Sequence, residues 1–214
     1  MNNLKIDLHT HSTASPDGSL SLNDYDFMLN NNLLNYIAVT DHNTIEQAQI
    51  IQNKLGQQII VGEEILTQEG EIIGLFLTKI IPANLSLQET IFLIKKQSGL
   101  VYLPHPLESQ RHGLNFQTVQ KFISSIDIIE CYNGRSLLNN HHRKIIDMIE
   151  EFGLVGAASS DSHGRIGFGR TYSIIEDSVI DQNNLIAALE TANYHYRSAG
   201  LIARLYPTIN RLRK

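Results

Sequence analysis

His9 and His11, two apart in the segment DLHTHS, are the first side chains in the chain whose spacing suggests chemistry. On an extended backbone residues i and i+2 face the same way, so both imidazoles can reach one cation. Further segments of the same character follow. TDHNT carries Asp41 and His42, GEE carries Glu63 and Glu64, LPHP carries His105, IIECYNGR carries Glu130, and SSDSHG carries Asp161 and His163. Imidazole and carboxylate together suit Zn, Mn or Fe. Carboxylates gathered without a cation repel one another and raise each other's pKa, a cost that a metal removes.

Each segment ends an apolar, β-branched run: LKIDLH, NYIAVT, QIIVGE, LVYLPH, IDIIEC and LVGAAS. These read as strands buried on both faces. Between them, LSLNDYDFMLNNN, NTIEQAQIIQNKLG, SLQETIFLIKKQSG, FQTVQKFISS, SLLNNHHRKIIDMIEEFG and QNNLIAALETAN read as helices, with Gly56, Gly99 and Gly153 as stop signals. Strand alternating with helix implies right-handed crossovers and a parallel sheet. So many units in one domain favour a closed or nearly closed barrel, with a doubly wound open sheet as the competing architecture. ILTQEGEIIGLFLT breaks the rhythm and predicts a hairpin turning at Glu69-Gly70. In a parallel barrel the polar segments would all lie on the carboxyl-end rim.

The 214 residues suffice for one domain with a full core, and no linker or repeat divides them. The hydrophobic share of 42% and charged share of 18% are those of a globular protein. A net charge of −5 provides no global positive field, so no long nucleic acid is expected as a partner. A small anionic substrate remains compatible, because bound cations can dominate a local site. Cys131 is the sole cysteine, which excludes an intramolecular disulfide and suits a reducing compartment. The opening MNNLKIDLHTHS has no apolar core of signal-peptide length, and no apolar run approaches the ~18 residues of a membrane span. The expectation is a cytoplasmic protein without membrane association.

DLHTHS, TDHNT, GEEI, LPHP, IEC and SDSH, in this order, resemble the signature of the PHP (polymerase and histidinol phosphatase) family, over Lys5 to about Gly164. The resemblance implies an α/β fold, a distorted (β/α)7 TIM-like barrel forming a single PHP domain over residues 1–214. The metal motifs would lie within 5–164, with a C-terminal tail at 195–214. It also implies two or three divalent ions. His9, His11, Glu64 and Asp161 would hold the first; Glu64 would bridge to a second, also held by His105 and Glu130; Asp17, His42 and His163 would hold a third. Glu64 rather than Glu63 aligns with the family glutamate. Where many three-metal members have histidine this chain has Glu130 and Asp17, which shifts preference toward harder ions such as Mn or Fe.

Members of the family mostly hydrolyse phosphate esters, so the expected substrate is a small phosphomonoester, a nucleotide or a short oligonucleotide. Two ions would neutralise the ester and lower the pKa of a bridging water from ~15.7 toward ~7, giving a metal-bridging hydroxide. Asp161, His163 and His42 are the expected catalytic, proton-handling groups. Arginine's planar fork best fits the remaining phosphate charge. Arg111, Arg135, Arg165 and Arg170 lie in rim loops, with Arg135 and Arg170 preferred and His112 as a further substrate contact. Asp7 either orients His9 or caps a turn. Asp17, in the turn signal SPDGS, has a structural role as its alternative. His141 and His142 read as solvated, Cys131 as a core residue, Glu69 and Glu71 as a hairpin tip without a specific role, and RLYPTINRLRK as a solvated helix or frayed end. The competing activities are metal-dependent C–N hydrolysis by an amidohydrolase and a non-catalytic regulatory PHP module. Strand ends without lysine and a complete ligand set argue against each in turn.

Overall fold

The computed structural model describes residues 3–136, 141–176 and 179–213. In chain order the elements are β1 (Asn3–Asp7), α1 (Leu22–Asn30), β2 (Tyr36–Val39), α2 (Glu46–Leu55), β3 (Ile59–Leu66), β4 (Glu71–Leu75), α3 (Leu87–Lys96), β5 (Leu100–Leu103), α4 (Phe116–Phe122), β6 (Ile128–Asn133), α5 (His142–Phe152), β7 (Val155–Ser159), β8 (Tyr172–Glu176), α6 (Leu185–Glu190), β9 (Asn193–His195) and α7 (Gly200–Arg213). The stretch expected to open α5 includes residues 137–140, which lie outside the described residues. Helix starts have local causes: Ser86 Oγ accepts from Glu89 N at 3.2 Å, and Asn115 Oδ1 from Thr118 N at 2.9 Å. Gly153 ends α5 with a φ of +64°, a left-handed conformation that only glycine adopts without strain.

The sheet runs β7-β6-β5-β4-β3-β2-β1-β8-β9. β1–β2–β3 and β5–β6–β7 are parallel, while β4 pairs antiparallel with both β3 and β5, as the hairpin signal predicts. Thr10 bridges Ser162, with His11 N donating to Ser162 O at 2.9 Å, so the rims of β1 and β7 meet and the sheet nearly closes into a barrel. The barrel expectation therefore holds: β1–β7 supply its seven strands, and the sheet extends to nine. The addition is β8 and β9, which run antiparallel off β1.

Two apolar layers follow the alternation of the strands. Ile37, Val39, Ile59, Val61, Val101, Leu103 and Ile129 pack against Ala48, Ile51, Ile94, Val119 and Met148 of the helices. Their neighbours Ala38, Ile60, Tyr102 and Ile128 join Ile6, Ala157 and Ile175 in the second layer. Each such buried aliphatic side chain contributes roughly 1.5–3 kcal/mol. Among the described residues no helix is long and apolar enough to cross a membrane.

Candidate metal centre

Polar contacts at the strand ends aim the side chains. Asp41 accepts from Ser12 N at 2.7 Å and Ser12 Oγ at 2.5 Å, pinning the DLHTHS segment to the end of β2. Ser15 Oγ meets His11 Nδ1 at 3.1 Å, which turns His11 Nε2 toward His9 Nε2, also 3.1 Å away. His9 Nδ1 faces Glu130 Oε1 at 3.1 Å; this partner assigns the proton to Nδ1 and leaves Nε2 as the free donor atom. A backbone bridge between His42 and Glu64 sets the β2 and β3 ends side by side. Glu64 Oε2 then lies 3.2 Å from His11 Nε2, 3.4 Å from His9 Nε2 and 3.2 Å from His42 Nδ1, and its Oε1 lies 2.9 Å from His105 Nε2. Asp161 Oδ1 approaches His9 and His11 at 3.7 and 3.5 Å.

On the other side of His11, Asp17 Oδ1 lies 3.6 Å from His42 Nε2 and 3.5 Å from His163 Nε2. The SPDGS turn makes this possible: a Cβ on Gly18 would fall 2.1 Å from Ser12 O, so only glycine lets the turn close. His105 and Asp161 have φ of +29° and +49°, strained values for residues with side chains and frequent at functional sites.

The donor set fits divalent cations. His11–Asp17–His42–His163, His9–His11–Asp161, His9–Glu64–His105 and His42–Glu64–Glu71 each offer ligand atoms within 4.8 Å of one another. Among the described residues, Asp17 Oδ1 and His105 Nδ1 are buried without a hydrogen-bond partner. Burial opposes a charge on His9, but Asp161, Glu64 and Glu130 outweigh it and hold its pKa well above the usual value. Burial, with His163 and His42, pushes the neighbouring His11 well below. Burial also resists ionisation of Glu64, yet His9 and His42 keep it well below the carboxylate range. A divalent ion between the facing His9 and His11 nitrogens would also neutralise the carboxylates around them.

The structure brings His9, His11, Asp17, His42, Glu64, His105, Asp161 and His163 together, and sets Glu130 behind them. Glu130 Oε1 takes His9 Nδ1 and the Tyr102 hydroxyl (2.9 Å); Oε2 accepts from His105 N (2.6 Å) and Asn133 Nδ2 (2.8 Å). Both oxygens are engaged by donors, so Glu130 braces His9 and His105 from behind the cluster. Glu63 points the opposite way from Glu64 and accepts from Ile81 N at 2.9 Å. Asp7 accepts from Ser160 N at 3.0 Å and His9 N at 3.4 Å, holding backbone and not the His9 ring.

Glu71, expected to have no specific role, is buried in the centre. Its oxygens lie 3.6 Å from His42 Nδ1 and 3.7 Å from His105 Nε2, the two rings Glu64 also faces. Burial, and then Glu64, pushes its pKa up to about 8. The signal was present in the hairpin: pairing Leu66 with Glu71 puts Glu71 on the same face as Glu64.

A cavity of about 260 Å³ opens over the cluster, lined by Asp17, His42, Glu64, Glu71, His105 and Asp161 and by Arg111, His112, Arg135, Arg204 and Arg211. Arg111 and Arg135 both reach Asp161, Arg135 at 3.2 Å. Arg170 does not line this cavity, and Arg165 pairs with Asp24 at 2.5 Å on the surface, so the preference for Arg170 is corrected in favour of Arg111. The C-terminal segment is no frayed end. The buried Asn210 of α7 donates to Asp17 O and His163 O at 2.7 and 3.1 Å, and Arg211 holds Asp17 Oδ2 at 2.8 Å. No sequence pattern announced where this helix docks.

No family model matches the sequence. Two proteins of Methanocaldococcus jannaschii, both named only as uncharacterized, are similar along most of it. MJ0417 is 31% identical over 199 residues, covering 89% of this chain and 78% of its own length. MJ1587 is 32% identical over 150 residues, covering 64% and 88%. Among solved structures, PsfC of Pseudomonas syringae has a TM-score of 0.67 at 15% identity, over 100% of this chain and 98% of its own. A candidate metal-dependent phosphoesterase of Bifidobacterium adolescentis has a TM-score of 0.60 at 14% identity, over 93% and 98%. The lesion-specific endonuclease Q of Pyrococcus furiosus has a TM-score of 0.63 at 14% identity, over 90% of this chain and 58% of its own. At these identities the three structures show a shared fold.

Proposed function

We propose that the chain, which belongs to one family with MJ0417, is a metal-dependent phosphoesterase of the PHP type, a reading supported by the motifs that resemble that family and by the shared fold. Its substrate is a small phosphomonoester, a nucleotide or a short oligonucleotide, met in the cytoplasm, where the buried Cys131 thiol stays reduced. The observation that carries the reading is the convergence of four imidazoles on Glu64, with Glu71 and Asp161 beside them, beneath a cavity edged by arginines. His9, His11, Glu64, His105 and Asp161 would hold two divalent ions, with Glu71 as a further ligand, and Asp17, His42 and His163 a third. Oxygen donors favour Mn or Fe over Zn. Bound ions supply Lewis acidity and an acidified water for attack on phosphorus.

The chain's own residues do the rest. Arg111 and Arg135 turn from Asp161 to the ester oxygens, binding and orienting them with planar forks. His163 Nδ1 lies 3.0 Å from Asp161 O and its Nε2 faces Asp17 at 3.5 Å. Where no third ion is held, the partly exposed His42 is placed to pass a proton to the leaving oxygen. The residues lining the cavity include no lysine, which disfavours the carbamylated-lysine chemistry of the C–N hydrolysis alternative.

The named activity of endonuclease Q, solved with a 27-mer duplex bearing an abasic lesion, keeps DNA among the substrates to be tried despite the net charge of −5. The test is phosphate release by metal-loaded protein from p-nitrophenyl phosphate, bis(p-nitrophenyl) phosphate, mononucleotides, a short oligonucleotide and a duplex. Turnover of a small ester supports the reading. Cleavage of the duplex alone moves the substrate class to DNA, and metal-loaded protein inert on every ester contradicts hydrolysis.

A further inference from the structure

Helix α7 carries a second set of side chains to the rim. Arg204, Pro207, Thr208 and Arg211, spaced i, i+3, i+4 and i+7, form one helical face, and all four line the cavity. The helix is fastened to the loops that bear the centre. Asn210 bridges the carbonyls of Asp17 and His163, Arg204 Nε donates to Arg135 O at 2.5 Å, and the Tyr206 ring fills the space beside Gly164, where a Cβ would come within 2.6 Å of it. These contacts set the position of Arg204 relative to Arg135.

The three half-buried arginines of this wall differ in how their donors are used. Arg111 is drawn to Asp161, Glu108 and Asn133, and Arg135 to Asp161 and His163. Arg204 spends only Nε on the protein; its two terminal nitrogens have no hydrogen-bond partner among the described residues. Guanidinium groups sharing a small cavity repel one another: burial, then Arg111 and Arg135, lower the basicity of Arg204. An oxyanion among the three would relieve that repulsion and take up the free donors. Holding the scissile phosphate already engages Arg111 and Arg135 in the proposed reaction, so Arg204 is left for another group of the same molecule.

We propose that Arg204 of the C-terminal helix is a specificity-determining residue, binding a second anionic group of the substrate, a phosphate or a carboxylate, beside the ester that is cleaved. This rests on the phosphoesterase reading and adds that uncharged esters are poor substrates. The helix would therefore serve as part of the recognition surface.

The experiment compares wild type with Arg204→Gln and Arg204→Lys, using the metal-loaded full chain. Inorganic phosphate and succinate are titrated calorimetrically, and KM and kcat are measured on whichever ester is turned over. Loss of a charge-assisted contact predicts roughly 10- to 100-fold weaker binding of one of the two anions by Arg204→Gln. Which anion is affected identifies the group. KM should rise by a similar factor with kcat held within about twofold, since Arg204 makes no hydrogen bond to a residue of the metal cluster among the described residues, and metal content by elemental analysis should not change. Arg204→Lys keeps the charge without the fork and should fall between the two; it also serves if the glutamine variant does not fold. Ile202→Ser, on the exposed face of the same helix, should match wild type. Equal anion affinities and equal KM in wild type and the Arg204 variants would overturn the inference and leave the phosphoesterase reading intact. A wild type that takes up no metal and turns over no ester defeats that reading, while the two titrations still report on Arg204.

Discussion

Replacing Glu130 with glutamine distinguishes a brace from a ligand. Its two oxygens take four donors: His9 Nδ1 and Tyr102 Oη on one, His105 N and Asn133 Nδ2 on the other. A glutamine amide, turned either way, sets its NH2 against two of them. Facing His9, it forces the ring proton onto Nε2, the nitrogen aimed at Glu64 and Asp161. Facing His105, it removes the support of a main chain held at a φ of +29°. Lost supports of this kind cost about 10- to 100-fold in metal affinity. Unpaired buried donors cost roughly 1–3 kcal/mol each, or 2–4 kcal/mol for the pair after relaxation. That corresponds to a fall of roughly 5–15 °C in Tm for a chain of this size. Calorimetric titration with Mn and thermal melts read both effects. The expected result is weaker binding with the same number of ions at saturation. One ion fewer with the others unaffected would make Glu130 a ligand, and no change in either quantity would refute the positioning argument.

Glu71→Gln should weaken metal binding about tenfold or more, because the carboxylate faces two imidazoles of the centre; an unchanged isotherm would return Glu71 to the hairpin alone. Glu63, whose pKa burial pushes up to about 7, binds more protons folded than unfolded between about pH 4.5 and 7. Wild-type stability therefore falls as pH rises through that window, so the Tm of Glu63→Gln relative to wild type should climb between pH 5 and 8, by up to about 3 kcal/mol in stability. A flat difference across that range would sink the prediction. Asn210→Leu leaves the Asp17 and His163 carbonyls unpaired, at a cost of roughly 1–3 kcal/mol. Tryptic cleavage within α7 should accelerate while amide exchange in the sheet stays the same; equal cleavage rates would show that the helix is held by other contacts.

Local signals carried the strand–helix alternation, the hairpin at Glu69-Gly70 and the helix stop at Gly153, because each depends on nearby periodicity or a single backbone conformation. Glu64 was chosen over Glu63 by its place in the family motif, and the strand turns the two opposite ways. What escaped depends on distant pairing. β8 joins β1 across some 170 residues of chain, Asn3 opposite Glu176, and the exposed three-residue β9 has no apolar alternation to reveal it. Arg170 and Arg111 look alike as rim arginines until the loops are folded. Glu130 reads as a metal-binding carboxylate, and its four donors come from residues that only the folded barrel brings to it. The basic residues of α7 resemble a solvated tail until Asn210 is seen buried under the rim.

Elemental analysis of purified protein, with His9→Ala/His11→Ala prepared in parallel, reads whether these imidazoles and carboxylates hold cations. Wild type should carry two or three divalent ions per chain, and the folded double variant none. A well-folded wild type that stays metal-free after incubation with Mn, Fe and Zn, or a double variant that retains the full complement, would contradict the account.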